Sequence, residues 1–237
     1  MIANLRRAAV LVVSLLAAGG PAAHSLDSEA ARTIEALGLR PGLRVADVGA
    51  GNGEWSERIA REVGETGHVY ATEVDQEKLQ QTEARMKEDG LKNVTTVLGT
   101  QDDTGLRPGC CDAILLRMVY HHFTDAPRMR ASLRSALRRG APLVVIDTEP
   151  QKNWRHLEGV PDRGGHGIKE EDLVREMTSD GFEVVARHDD WAGDGDRYCV
   201  VFRRAEGTPS GRLRHGAAAC KANGTGSRAA CSPPRCS

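Results

Sequence analysis

Between residues 43 and 202 short apolar runs alternate with segments whose apolar residues recur at helical spacing. Residues 43–48 (LRVADV) predict a strand that runs straight into a glycine loop. In 54–63 the apolar positions Trp55, Ile59, Ala60 and Val63 fall on one face of a helix, which Gly64 and Gly67 stop. Residues 68–72 (HVYAT) predict a second strand, ending in Glu73. A polar surface helix follows over 76–88, closed by Asp89-Gly90. Strands are expected at 94–98 and 112–116, the latter almost wholly apolar at its centre, as a strand covered on both faces should be. Asp125 can cap a helix that carries Pro127 in its first turn and runs to Arg139, before Gly140. A fifth strand is expected at 142–146, ending in Asp147.

The last third breaks the alternation. A helix over 169–179 leads into a strand at 182–187, and a turn-rich link at 192–196 leads directly into another at 198–202. Two strands joined without a helix predict an antiparallel hairpin. The expected fold is therefore α/β, a Rossmann-like doubly wound sheet of seven mostly parallel strands with a reversed strand near the C-terminus.

Both ends differ from this middle. Arg6 and Arg7 precede the uncharged apolar run 8–18, and Gly19, Gly20 and Pro21 break it. Small residues at Ala22, Ala23 and Ser25 then suit a signal peptidase, so 1–25 is expected to be a signal peptide, with an uncleaved N-terminal anchor as the alternative. The run falls short of the roughly 20 residues of a spanning helix. The folded domain is expected over 26–204. From 205 to 237 the chain is rich in Gly, Ala, Ser, Pro and Arg without apolar periodicity, and a disordered tail is expected.

Composition narrows the function classes. The formal net charge is −1 and aromatics are 4%, so neither a basic field nor stacking platforms point to nucleic acid, and no nucleic-acid partner is expected. Membrane contact is expected only if the N-terminal segment stays uncleaved. The six cysteines form no CxxC pair, so no metal site is expected; Cys111 and Cys199 are read as small buried apolar residues.

The chemistry concentrates in Asp47-Val48-Gly49-Ala50-Gly51-Asn52-Gly53. Glycine lets backbone approach a ligand and adopt positive φ, and a helix N-terminus behind the loop offers N–H groups. Two ligand classes compete. A dinucleotide fingerprint needs a third glycine where Glu54 stands, and that carboxylate would meet a pyrophosphate. A ligand with a sulfonium and an amino-acid end suits the loop better. Asp47 offers a carboxylate near its ammonium group, and Glu73, about 20 residues past the loop, can accept from both ribose hydroxyls.

The run VADVGAGNGEW resembles the first motif of the class I S-adenosylmethionine-dependent methyltransferases. VYATEVD, NVTTVLGTQDD, CDAILLRMVYHHF and LRRGAPLVVID resemble the segments that follow it, and the closing hairpin resembles that family's reversed seventh strand. The resemblance covers roughly residues 28–204 and implies S-adenosylmethionine as cofactor. It implies that Asp47, Gly49, Gly51 and Gly53 shape the methionine end and that Glu73 binds the ribose. Gln101 or Asp102 would meet the adenine amino group, although Thr100 stands where the family often has an acidic residue. Arg117 would line the cofactor cleft.

On the acceptor side, 118–123 (MVYHHF) follows the fourth strand directly and lies next to the methyl group in such a fold. His121 or His122 could act as a general base where the acceptor carries a proton. Tyr120, Asp147 and His166 are candidates for substrate contact. His166, Arg155, His156 and Arg163 lie in the long polar link 150–167, the kind of loop that forms an acceptor wall. The expected function is methyl transfer to a small-molecule acceptor. The alternatives are an NAD(P)-dependent oxidoreductase and a non-catalytic S-adenosylmethionine-binding protein. The N-terminus implies an exported or membrane-anchored protein, whereas the cofactor implies a cytoplasmic one.

Overall fold

The computed structural model describes residues 21–152 and 158–205, with side chains described from residue 28. The expected tail and most of the expected signal segment, with Arg155, His156 and the tail cysteines, lie outside the described residues.

The elements run α1 (Pro21–Leu37), β1 (Arg44–Val48), α2 (Glu54–Val63), β2 (His68–Glu73), α3 (Gln76–Glu88), β3 (Val94–Leu98), β4 (Ala113–Arg117), a 3-10 turn (Tyr120–His122), α4 (Ala126–Ala136), β5 (Pro142–Thr148), α5 (Glu170–Ser179), β6 (Phe182–His188) and β7 (Arg197–Arg204). All seven strands form one sheet in the order β3-β2-β1-β4-β5-β7-β6. Pairs from β3 through β5 are parallel, and β7 runs antiparallel to both β5 and β6. This is the expected doubly wound sheet, with its one reversed strand inserted between β5 and β6.

The register explains the apolar runs. Val45, Ile114, Leu115, Leu116, Leu143, Val144, Val145 and Ile146 are buried, because β1, β4 and β5 are covered on both faces. One face packs Met129 and Leu133 of α4 with Leu173 and Met177 of α5. The other packs Leu37 of α1 with Trp55, Ile59 and Val63 of α2. Each such side chain contributes about 1.5–3 kcal/mol of transfer free energy.

Two local expectations need correction. α4 stops at Ala136, not Arg139, because Leu137 turns extended and bridges Cys111, whose carbonyl accepts from the Arg138 N–H. α1 has no counterpart in the sequence reading. Its Glu29 is buried and accepts from Arg117 of β4, with Nε–Oε1 at 2.8 Å and Nη2–Oε2 at 3.1 Å, and from Arg197 of β7 at 3.1 Å. Arg32 lies over the Trp191 ring at 4.1 Å, and the indole N–H donates to Thr33. The helix is thus bound to the sheet by polar groups as well as by apolar packing. Cys110, Cys111 and Cys199 are free thiols and buried.

Strand order reverses between β1 and β4. Ligands of open α/β sheets bind beyond the carboxyl ends of the strands at such a switch point. The glycine loop after β1 and the histidine segment after β4 both begin there.

Candidate active site

A cleft of about 390 Å³ opens at this point. Gly49 and Gly51, Glu73, the Gly99–Gln101 turn, Met118, and His122 contribute to its walls. Gly49, Gly51 and Gly53 have φ of 76°, 57° and 80°, the left-handed conformation that favours glycine. At Gly49 a Cβ would also lie 2.4 Å from Val119 Cγ2, and at Gly53 it would lie 2.7 Å from Thr82 Cγ2. Gly49 and Ala50 N–H both donate to Thr72 O, which folds the loop back over β2.

Glu73 ends β2 facing this loop. Its carboxylate accepts from Gly51 N–H at 3.0 Å and from its neighbour Val74 N–H at 2.8 Å. A carboxylate has about four acceptor positions, so two remain for hydroxyls in the cleft. These acceptor positions therefore fit a ribose, and Val74, exposed on the cleft wall, adds apolar surface beside it.

Asp47 lies beneath the loop rather than on the cleft wall. It is buried and accepts from Ser56 Oγ at 2.6 Å. Burial pushes its carboxyl up to about 6, while the Ser56 hydroxyl and Arg117 favour the charged form. Arg117 does not line the cleft either. Its guanidinium is held by Glu29, a partner that the sequence did not suggest, and lies over the Trp55 ring at 5.1 Å.

The turn after β3 divides in two. Gln101 reaches the cleft. Asp102 turns away, paired with Arg128 at 2.9 Å and accepting from the Thr100 hydroxyl at 2.7 Å. Asp103 lines the cleft instead.

Past β4 the chain passes through Met118, a non-glycine residue at φ 55°, whose N–H donates to Ile146 O at 2.8 Å. Strained backbone of this kind persists where the surroundings over-determine it. The 3-10 turn then points three successive side chains in three directions, at about 120° per residue. Tyr120 points into the core. It is fully buried, donates to Glu176 at 2.8 Å and accepts from Arg130 at 2.9 Å, so it is no substrate contact. Arg163, from the link, also serves this cluster through Glu176. His121 is buried over Asp147, with Nδ1–Oδ1 at 2.6 Å. His122 reaches the cleft.

Asp147 is fully buried, so it too makes no direct substrate contact. It holds His121 and accepts from Thr148 N–H at 2.8 Å. His166 arrives from the link. Its Nε2 lies 3.1 Å from His121 Nε2 and 3.0 Å from His122 Nε2. Burial, then His121 and His166, push the His122 imidazole down to about 4, with Asp147 opposing; burial also lowers His166. Glu158 and Val160 of the link line the cleft, as an acceptor wall would.

Sequence reasoning named all three histidines without anticipating that they meet. It also missed Glu29, Glu176 and Arg130. The flanking Gly165 and Gly167 were the available signal for His166, since both mark a close backbone approach.

A family profile described as a methyltransferase domain matches residues 45–140. The ubiquinone/menaquinone biosynthesis C-methyltransferase of Vibrio cholerae is 28% identical over 116 residues, 48% of this chain and 45% of that protein. Its counterpart from Shewanella pealeana is 28% identical over 121 residues, 50% of this chain and 48% of that protein. The chain thus spans about half the length of these curated relatives. Among solved structures, an S-adenosylmethionine-dependent methyltransferase from Aquifex aeolicus superposes with a TM-score of 0.65 at 21% identity, covering 78% of this chain and 94% of that one. The [4+2]-cyclase SpnF superposes with a TM-score of 0.63 at 17% identity, covering 75% and 81%. At such identities the structures establish the fold alone, and the cyclase shows that activity has to be argued from the site. Residues 45–140 thus match a methyltransferase domain, and the fold around them is similar to that of solved S-adenosylmethionine-dependent methyltransferases.

Proposed function

We propose that this chain transfers a methyl group from S-adenosylmethionine to a small-molecule acceptor bound at the histidine side of the cleft. One observation carries the reading. Glu73 faces the glycine loop with one oxygen on Gly51 N–H and acceptor capacity left toward the cleft. Glu54 stands where the dinucleotide fingerprint needs its third glycine, which disfavours a dinucleotide. Gly49 and Gly51 would hold the methionine part, Glu73 the ribose, and Gln101 with Asp103 the adenine edge. When bound, the cofactor supplies an electrophilic methyl group. The chain's own task is to set the acceptor in line with that carbon and keep water out, and positioning of this kind can supply much of a rate.

His122 is the imidazole of the three that lines the cleft, and it is neutral near pH 7. It orients the acceptor. The test is calorimetry of the full chain with S-adenosylmethionine, S-adenosylhomocysteine and NAD. Binding of the first two and not the third is expected; binding of NAD alone overturns the reading. Tight donor binding without turnover on any acceptor would favour a non-catalytic binding protein.

We also infer that 1–25 is an export signal or anchor. Removal after Ser25 shortens α1 by its first five residues and leaves Glu29, Thr33 and Leu37, the residues that tie it to the sheet. N-terminal sequencing of fractionated protein tests this, and an intact N-terminus in the cytoplasmic fraction would refute it.

A further inference from the structure

We propose that His121, His122 and His166 form a binding site for one divalent late first-row metal ion of the zinc type, at the acceptor end of the cleft. Among the described residues, these three place their ligating nitrogens within 4.8 Å of one another. Two edges of the triangle are 3.1 and 3.0 Å, both between Nε2 atoms. Zinc binds imidazole nitrogen at about 2.0–2.1 Å in tetrahedral geometry, which separates the nitrogens by about 3.3 Å. These two edges need only a few tenths of an ångström of expansion to accept the ion, and the third is at most 4.8 Å.

Proton bookkeeping favours an ion over hydrogen bonds. An imidazole nitrogen carries a single in-plane site, either an N–H or a lone pair. His166 Nε2 faces two other Nε2 atoms and can pair well with one. The second contact is then at best one N–H shared between two lone pairs, and otherwise lone pair against lone pair or hydrogen against hydrogen. A cation at the centre replaces both contacts with bonds to three lone pairs.

The support around the triangle is that of a metal site. His121 Nδ1 is 2.6 Å from Asp147 Oδ1, which places the proton on Nδ1 and aims the Nε2 lone pair at the other rings. A carboxylate behind a ligating histidine fixes its tautomer and raises its basicity. His166 is held from behind by paired backbone bonds with Gln151, at 2.8 and 3.1 Å. That bridge needs glycine on both sides. A Cβ on Gly165 would lie 2.7 Å from Gln151 O, and one on Gly167 would lie 2.5 Å from Thr148 O. Three imidazoles leave a tetrahedral ion one open position, as in catalytic zinc sites. His122 lines the cleft, so that position is reached from it. An acceptor bound there through oxygen or sulfur would lose its proton more readily. This last role rests on the methyltransferase reading; the metal site itself does not.

The experiment titrates the metal-free full chain with Zn²⁺ against a chromophoric chelator, and with Co²⁺ followed by its visible absorption. One equivalent should bind with a dissociation constant below about 1 μM. His166→Ala should weaken binding at least a hundredfold, and Asp147→Asn by about ten- to a hundredfold. His68→Ala and His188→Ala should leave it unchanged. Replacing Cys220, Cys231 and Cys236 together by Ser should also leave it unchanged, with no thiolate band in the cobalt spectrum. Circular dichroism and donor calorimetry on each variant separate lost ligation from lost folding. Absence of uptake, uptake indifferent to His166→Ala, or uptake that disappears only with the tail cysteines would overturn the proposal. Metal uptake without donor binding would retain the metal site and sink the methyltransferase reading; donor binding without metal uptake would do the reverse.

Discussion

The two sides of the cleft are made from different materials. The donor side is mostly backbone: three glycines at positive φ, a folded-back loop and one carboxylate tied to an N–H. The acceptor side is mostly side chain: three imidazoles braced by a buried carboxylate and a two-residue bridge. Backbone sites depend on conformation, so they tolerate little at the glycines and much elsewhere. Side-chain sites depend on which residues meet, so they can be rebuilt for another acceptor without disturbing the donor.

The largest effect should follow where the two sides touch. Gly49 packs on Val119, and Gly49→Ala must adopt a strained φ and displace that side chain. Together these cost roughly 2–4 kcal/mol of folding stability, with donor affinity falling at least a hundredfold. Gly51→Ala meets nothing within 4 Å and carries the φ strain alone, so it should cost about 1 kcal/mol. Thermal unfolding and calorimetry on both variants check this. Equal losses would show that contact with the acceptor side is irrelevant to the donor loop.

Next comes the brace behind the cleft. Glu29→Ala removes the partner of Arg117 and Arg197 from a buried position. A cost of about 3 kcal/mol is expected, at the low end for a broken buried pair because both arginines reach solvent. Donor affinity should change less than threefold. A loss of donor binding comparable with that of Gly49→Ala would return Arg117 to the donor site, where the sequence had suggested it.

The same contrast explains what the sequence could show. Gly49, Gly51, Gly53 and Glu73 were legible because a backbone-built site writes its conformational demands locally, as glycines at fixed spacing after a strand. The sheet was legible for a similar reason: apolar runs mark strands covered on both faces. Glu29 was not, since its partners lie 88 and 168 residues away and a Gly-Gly-Pro break hid the helix that carries it. Nor was the histidine triangle, which joins residues 45 apart through glycines whose role appears only against β5. Tyr120 was a substrate candidate because its segment directly follows β4, yet a 3-10 turn sends successive side chains in different directions.

Asp47 sharpens the donor half through pH. Its carboxyl is raised from 3.8 to about 6, so the folded chain holds a proton that the unfolded chain releases near pH 4. Between pH 4 and 6 the folded state binds more protons, and its stability falls as pH rises. Above about 6 the loss is complete and constant. Asp47→Asn keeps an acceptor for Ser56 and should stabilise the donor-free protein at pH 8 by about 3 kcal/mol, with no gain at pH 3. It should also weaken donor binding about tenfold if the ammonium group reads this charge. Denaturant unfolding at the two pH values is the measurement, and destabilisation at pH 8 would show that the carboxylate is held by more than it costs.

The smallest effect tests where the acceptor side ends. Burial and then the Glu176 carboxylate push the Tyr120 phenol upward, so it stays protonated and donates to that carboxylate. Tyr120→Phe keeps the packing against Phe123 and removes one hydroxyl from a cluster that still has Arg130 and Arg163 on Glu176. The expected cost is about 1 kcal/mol of stability, the ordinary net worth of a buried hydrogen bond. Donor affinity and metal uptake should be unchanged, because the ring faces the core while His121 and His122 face away from it. Once a substrate is in hand, kcat and KM should match the parent protein at a temperature where both are folded. A fall in kcat without a fall in stability would place the phenol at the reacting atoms and extend the acceptor side one residue deeper than the structure puts it.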